Sequence, residues 1–202
     1  MKIVKFLKNN EENYGIYKGD FIEVIKWQPF IDDFEETGER VNIEEIKFLP
    51  PVFPPNIIAL GLNYKEHAQE SKMDLPEEPV IFLKATTSIT GHLSPIFLPS
   101  VAPDYVDYEG ELCIIIGKRA KNVSEKEVKE YIFGYTCGND VSARDCQFKR
   151  DKQWARGKSF DTFCPIGPWI ETEINPDNLK IQSRVNGKVM QNSNSSYMIF
   201  SP

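Results

Sequence analysis

The side chains of this 202-residue chain with types and spacings suited to chemistry are three acids, a histidine–glutamate pair and a basic stretch. Glu109 and Glu111 are two apart in EGELCIII, which predicts a strand. Side chains on a strand alternate faces, so both carboxylates point the same way. The apolar LCIII that follows belongs in a core, and like charges beside a core are costly unless a cation neutralises them. Asp140 closes a second predicted strand, GYTCGND. Three carboxylates with no adjacent Cys or His cluster suit a hard cation, Mg2+ or Mn2+, that keeps positions open for water and substrate. Taken alone, an E-x-E on a strand is explained more simply by lysine partners on a solvated face. The spacing by itself does not bring Asp140 to the pair.

His67 and Glu70 are three apart on a predicted helix and share a face. A carboxylate there can orient the imidazole and raise its basicity, a general-base arrangement for activating water; a surface His–Glu pair is the plainer account. His92 follows Gly91 in a loop and is assigned no chemistry. Arg144, Gln147, Lys149, Arg150, Arg156 and Lys158 follow Asp140 closely. They form either a solvated basic loop or a set of donors for a carboxylate substrate, to which Arg binds bidentately.

The elements that must position these groups can be read from pattern. Residues 1–47 predict a small β-rich module, with MKIVKF and FIEVIKW as strands and Lys18-Gly19-Asp20 as a turn. FLPPVFPP at 48–55 holds four prolines and reads as a linker. The main domain starts at Asn56: a short buried strand, NIIALG, then a helix over about 64–72 capped by Asn63. PVIFLK, 109–116, GYTCGND, PIGPWIET and LKIQSRVNG predict further strands, with Asn186-Gly187 as a hairpin turn. SEKEVKEYIFG predicts a helix with Ser124 and Glu127 as capping box and Gly134 as its end. The fold class is mainly β with a few helices, α+β, divided into residues 1–50 and 51–202.

Composition narrows the functions. The chain is 41% hydrophobic, enough for a core, and carries a net charge of −6. No stretch interleaves Lys and Arg with aromatics, which argues against nucleic acid, and an anionic substrate needs local positive charge. No run approaches the ~18 apolar residues of a membrane span, and the first residues lack a signal-peptide core. Cys113, Cys137, Cys146 and Cys164 are scattered and read as reduced thiols, with the cytoplasm as default location.

Five segments together resemble the fumarylacetoacetate hydrolase family in order and spacing: GLNYKEHAQE (61–70), PVIFLK (79–84), DYEGELCIIIG (107–117), GYTCGNDVSARDCQ (134–147) and GKSFDTFCPIGPWI (157–170). The resemblance spans about 50–202, and the first 50 residues look like the small β appendage of one subgroup. It implies a fumarylacetoacetase-type mixed β-roll, a homodimer, and Glu109, Glu111 and Asp140 as ligands of Mg2+ or Mn2+. It implies His67 and Glu70 as the catalytic pair of acylpyruvase-like members, and Gln147 and Lys158 as groups touching substrate or transition state. Asp161 and Thr162 would support the metal's water shell. The substrate would be a small 2-oxo acid, with C–C hydrolysis of acylpyruvates the first expectation. Isomerisation of the 2-hydroxyhepta-2,4-diene-1,7-dioate type, oxaloacetate decarboxylation and a non-catalytic metal- or metabolite-binding relative are the alternatives. The family pattern continues past SSYMIFSP with a Gly-rich segment, so a C-terminal part is expected to be missing after Pro202.

Overall fold

The computed structural model describes residues 1–28, 31–70 and 74–202. The N-terminal strands are β1 (Lys2–Lys8), β2 (Glu11–Tyr17), β3 (Phe21–Gln28), β4 (Ile31–Asn42) and β5 (Lys47–Leu49). Then come β6 (Ile57–Gly61), helix α1 (Lys65–Glu70), β7 (Val80–Lys84), β8 (Ile89–Thr90), β9 (Val106–Asp107), β10 (Gly110–Ile116), β11 (Ile132–Asn139) and β12 (Ser142–Ala143). The chain continues through a π-helical turn at Asp145–Arg150, helix α2 (Ala155–Lys158), β13 (Cys164–Glu171), β14 (Lys180–Val185) and β15 (Lys188–Asn194). The molecule is mainly β with a few short helices, the class the sequence implies.

One sheet runs β10-β11-β13-β1-β2-β3-β4, with β5 also on β1 and β8 parallel to β13. Strand β1 sits at its centre, which explains why Ile3, Val4, Lys5 and Phe6 are all buried rather than alternating. Val4 and Phe6 pack with Ile22, Val24 and Val41. Lys5 keeps its ammonium on Glu12, 2.5 Å away, and within 5.7 and 5.1 Å of the ring centres of Tyr14 and Phe53. A second core of Val52, Ile115, Cys164, Ile166 and Ile170 lies under β10, β11 and β13. A third, of Ala102, Val141, Ala143, Cys146 and Phe163, lies beneath the loop after β11. Both flank the acids.

Three local expectations are corrected. SEKEVKEYIFG forms turns and a 3-10 segment at Val128–Tyr131, then becomes strand at Ile132. The ladder to β10 and the β-forming Ile132 and Phe133 outweigh the helical pattern. Gly134 ends no helix: it lies inside β11, where a Cβ would stand 2.6 Å from Ile170 Cγ2 and 2.7 Å from the Glu171 carbonyl oxygen. Asn63 does not cap α1; its side chain pairs with the main chain of Phe200. The last residues of the predicted helix, from 71, lie outside the described residues. LCIII is only half in the core, because side chains alternate faces along β10: Ile115 is buried while Ile114 and Ile116 face outward. The turn at Asn186-Gly187 forms as expected, both residues with positive φ.

Candidate active site

Register brings the acids together. Glu111 lies opposite Gly138 on the β10–β11 ladder, and Gly110 opposite Asn139. One residue further, the Asp140 N–H donates to the Glu109 carbonyl oxygen at 2.8 Å, and Asn139 Oδ1 accepts from the Glu109 N–H at 2.9 Å. Glu111 shares its strand face with Cys113 and Ile115, which enter the second core, so its carboxyl is drawn inward.

Three cations converge on these acids. Lys158, at the end of α2 and 2% exposed, places Nζ 2.8 Å from Glu109 Oε2 and 2.6 Å from Asp140 Oδ2. Lys84, the buried last residue of β7, places Nζ 2.5 Å from Asp140 Oδ1 and also donates to the Lys158 carbonyl oxygen. Arg144 donates through Nη1 to Glu109 Oε1 at 2.6 Å and to Gln147 Oε1 at 2.8 Å, and through Nε to Asp107 Oδ2 at 2.7 Å. Ser142 Oγ lies 3.1 Å from Glu109 Oε1. Among the described residues no three His, Cys, Asp or Glu side chains close into a metal-ligand group. The Lys158 ammonium stands between Glu109 and Asp140 instead.

The electrostatics show what the acids lack. Burial alone would raise Glu109, but Lys158 and Arg144 hold it at about 2. Burial outweighs Lys84 and Lys158 at Asp140 and keeps it above the usual aspartate value. Glu111 is pushed up to about 8, first by burial and then by the charges of Glu109 and Asp140. Among the described residues no donor pairs with its carboxylate. Half-buried Glu111 next to two acids bridged by a monovalent ammonium leaves negative charge of the kind a hard divalent ion neutralises. Carboxylate oxygens are the donor type such an ion takes, and in this structure the Lys158 ammonium occupies the position between Glu109 and Asp140.

The other candidates are dispersed. His67 and Glu70 are exposed on α1, and no hydrogen bond joins them among the described residues. Gln147 is buried and held by Arg144. Lys149, Arg150 and Arg156 pair with Asp145 and Asp151, so the plain surface account holds for those three. His92 lies edge-on to Phe48. Asp161 is exposed, and the Thr162 hydroxyl accepts from the Phe97 N–H at 2.9 Å, away from the acids. Two groups were not singled out by the sequence reading. Lys84 could have been, since a lysine ending the apolar VIFL is an odd place for an unpaired charge. Tyr64 could not: its hydroxyl is buried without a partner among the described residues, and burial and Glu111 raise its pKa.

Comparison with known proteins places this architecture. The fumarylacetoacetate (FAA) hydrolase C-terminal model matches residues 56–202, and the Rv2993c-like N-terminal model matches 1–51. A mitochondrial oxaloacetate tautomerase of Rattus norvegicus is 44% identical over 160 residues, 77% of this chain and 51% of that one. The chain thus spans about half the length of that relative. The 5-carboxymethyl-2-hydroxymuconate delta-isomerase of Mycobacterium smegmatis superposes with a TM-score of 0.90 at 38% identity, over 100% of this chain and 78% of that one. Maleylpyruvate hydrolase of Sphingobium sp. SYK-6, in complex with manganese(II) and pyruvate, superposes with a TM-score of 0.79 at 26% identity, over 100% and 79%. With a family model matching well over half of its length, the chain belongs to the fumarylacetoacetate hydrolase family and is an enzyme of that family.

Proposed function

We propose that the chain catalyses the divalent-metal-dependent C–C hydrolysis of an acylpyruvate-type 2-oxo acid through an enolate. The observation that carries this reading is one cation position shared by Glu109 and Asp140, filled by the Lys158 ammonium, with Glu111, which no donor among the described residues pairs, beside it. Glu109, Glu111 and Asp140 would hold Mg2+ or Mn2+, a reading supported by the manganese and pyruvate in the Sphingobium hydrolase. The ion supplies Lewis acidity that lowers the cost of enolate charge. Lys158, freed from the acids, and Gln147 with Arg144 donate hydrogen bonds to the substrate's carboxylate and developing oxyanion. His67, assisted by Glu70, takes a proton from the attacking water. The hydroxyl adds to the distal carbonyl carbon, the C–C bond breaks, and its electron pair passes to the pyruvate enolate, which then takes up a proton.

A second reading is proton relocation on a 2-oxo diacid. It is favoured by the exposed, unbonded His67 and Glu70 and by the 44% identical oxaloacetate tautomerase. Oxaloacetate decarboxylation uses the same enolate without water attack. An Mg2+-supplemented panel of acetylpyruvate, fumarylpyruvate, oxaloacetate and an unsaturated 2-oxo diacid tests these readings. Hydrolysis of the acylpyruvates is expected, with His67→Ala slowed by about 10²- to 10⁴-fold while Mg2+ still binds. Turnover of oxaloacetate alone would replace hydrolysis, by the second reading if no CO2 is released and by decarboxylation if it is.

A homodimer and a cytoplasmic setting are part of this proposal. Ile58, Leu60, Ile81 and Leu83 form an exposed apolar face on paired β6 and β7, which a second copy would remove from water. The four cysteines are free thiols. Among the described residues no helix is long and apolar enough to cross a membrane.

A further inference from the structure

We propose that Asn63 is a positioning residue: by clasping the main chain of Phe200 it sets the place of helix α1, and with it His67 and Glu70. The proposal rests on the reading of His67 as the proton-transferring group. Helix α1 has six residues, and of these only Ala68 is buried. A helix that short has no stability of its own in water, so outside contacts must fix it. Those contacts come from the far end of the chain. Asn63 Nδ2 donates to the Phe200 carbonyl oxygen at 3.0 Å, and Asn63 Oδ1 accepts from the Phe200 N–H at 2.8 Å. The Asn63 carbonyl oxygen accepts from the Ile199 N–H at 2.8 Å, and Tyr64 forms a β-bridge with Met198. On the next turn Ser193 Oγ donates to Glu66 Oε2 at 3.1 Å.

The clasp needs an amide. Reading both the N–H and the C=O of one residue takes a donor and an acceptor on the same short side chain, which aspartate, leucine and serine do not supply in that geometry. It also has strain to hold. Leu62, immediately before, has φ 56, in the left-handed region that a non-glycine residue rarely enters. Such a backbone persists only where neighbouring contacts over-determine it. Leu62 turns the chain out of β6, Asn63 fixes it on Phe200, and α1 starts two residues later.

The test compares Asn63→Ala, Asn63→Asp, His67→Ala and the double variant Asn63→Ala/His67→Ala in Mg2+-supplemented acetylpyruvate hydrolysis. Hydrogen exchange of the 65–70 amides and Mg2+ binding by calorimetry are followed in parallel. Asn63→Ala is expected to lower kcat by about 10- to 100-fold with KM and Mg2+ affinity held, and to speed exchange across 65–70. Asn63→Asp, which keeps only the acceptor, is expected to fall between wild type and Ala. The double variant is expected to be no slower than His67→Ala, because a residue acting through His67 has nothing left to act on. Multiplying losses would overturn the proposal, as would a wild-type kcat in Asn63→Ala beside an inactive His67→Ala. If His67→Ala keeps the full rate, the base assignment fails, and exchange decides the clasp separately: unchanged protection of 65–70 in Asn63→Ala overturns it.

Discussion

Glu111 makes the charge balance of the site measurable. Its carboxyl ionises near 8 in the folded chain against an ordinary 4.5, so between those values the folded form holds one more proton than the unfolded form. The metal-free protein therefore loses stability as pH rises from about 4.5 to about 8. Glu109 acts oppositely. Held at about 2, it stabilises the fold above its ordinary value, and that contribution is lost as pH falls towards 2. A divalent ion relieves Glu111, so Mg2+ is expected to raise Tm more at pH 8 than at pH 5; equal increments at the two pH values would contradict the assignment. Glu109→Ala should lose Mg2+ binding, read by calorimetry, together with turnover. Strand alternation made the Glu109/Glu111 pair legible in the sequence. The approach of Asp140 was not legible, because it depends on which residue of β11 faces which residue of β10. Lys84 carried a local cue at the end of an apolar strand, but its partner, 56 positions away, did not.

At the scale of elements, the site is an agreement between a strand end, a ladder and a short helix. Lys84 ties the end of β7 to both Asp140 and the Lys158 main chain. Lys84→Met is expected to destabilise the protein by roughly 3–5 kcal/mol, the cost of removing one partner of a buried ion pair, read as a fall in Tm and in the denaturant midpoint. Gly134→Ala tests the second core: the added methyl meets the Glu171 carbonyl oxygen, a backbone atom that cannot step aside. A loss of about 1–3 kcal/mol is expected, and an unchanged Tm would mean that β11 and β13 are looser than they stand here. The strands were readable because apolar runs and turn residues bound them. The segment from Ser124 misled because its capping-box spacing is real, with Ser124 Oγ donating to Glu127 Oε2 at 2.6 Å. Local signals of that kind do not know that Ile132 and Phe133 are wanted by a neighbouring strand.

For the whole molecule, the exposed face of β6 and β7 sets the expected state in solution. Sedimentation should give twice the 23.2 kDa of one chain, and Ile81→Glu with Leu83→Glu should shift it to the single mass. A single mass for the unaltered protein would remove the dimer. The larger feature is the junction of β1 with β13, where Lys2, Ile3 and Val4 face Glu171, Ile170 and Trp169. Trp169 stacks on Tyr17 at 5.1 Å, and Lys2 Nζ lies 4.6 Å from its ring centre. The two stretches matched by separate family models thus share one sheet across this seam. A graft that replaces the first fifty residues with those of a relative is expected to melt lower, by about 1 kcal/mol of stability, where it lacks an aromatic at position 17, read as a fall in Tm.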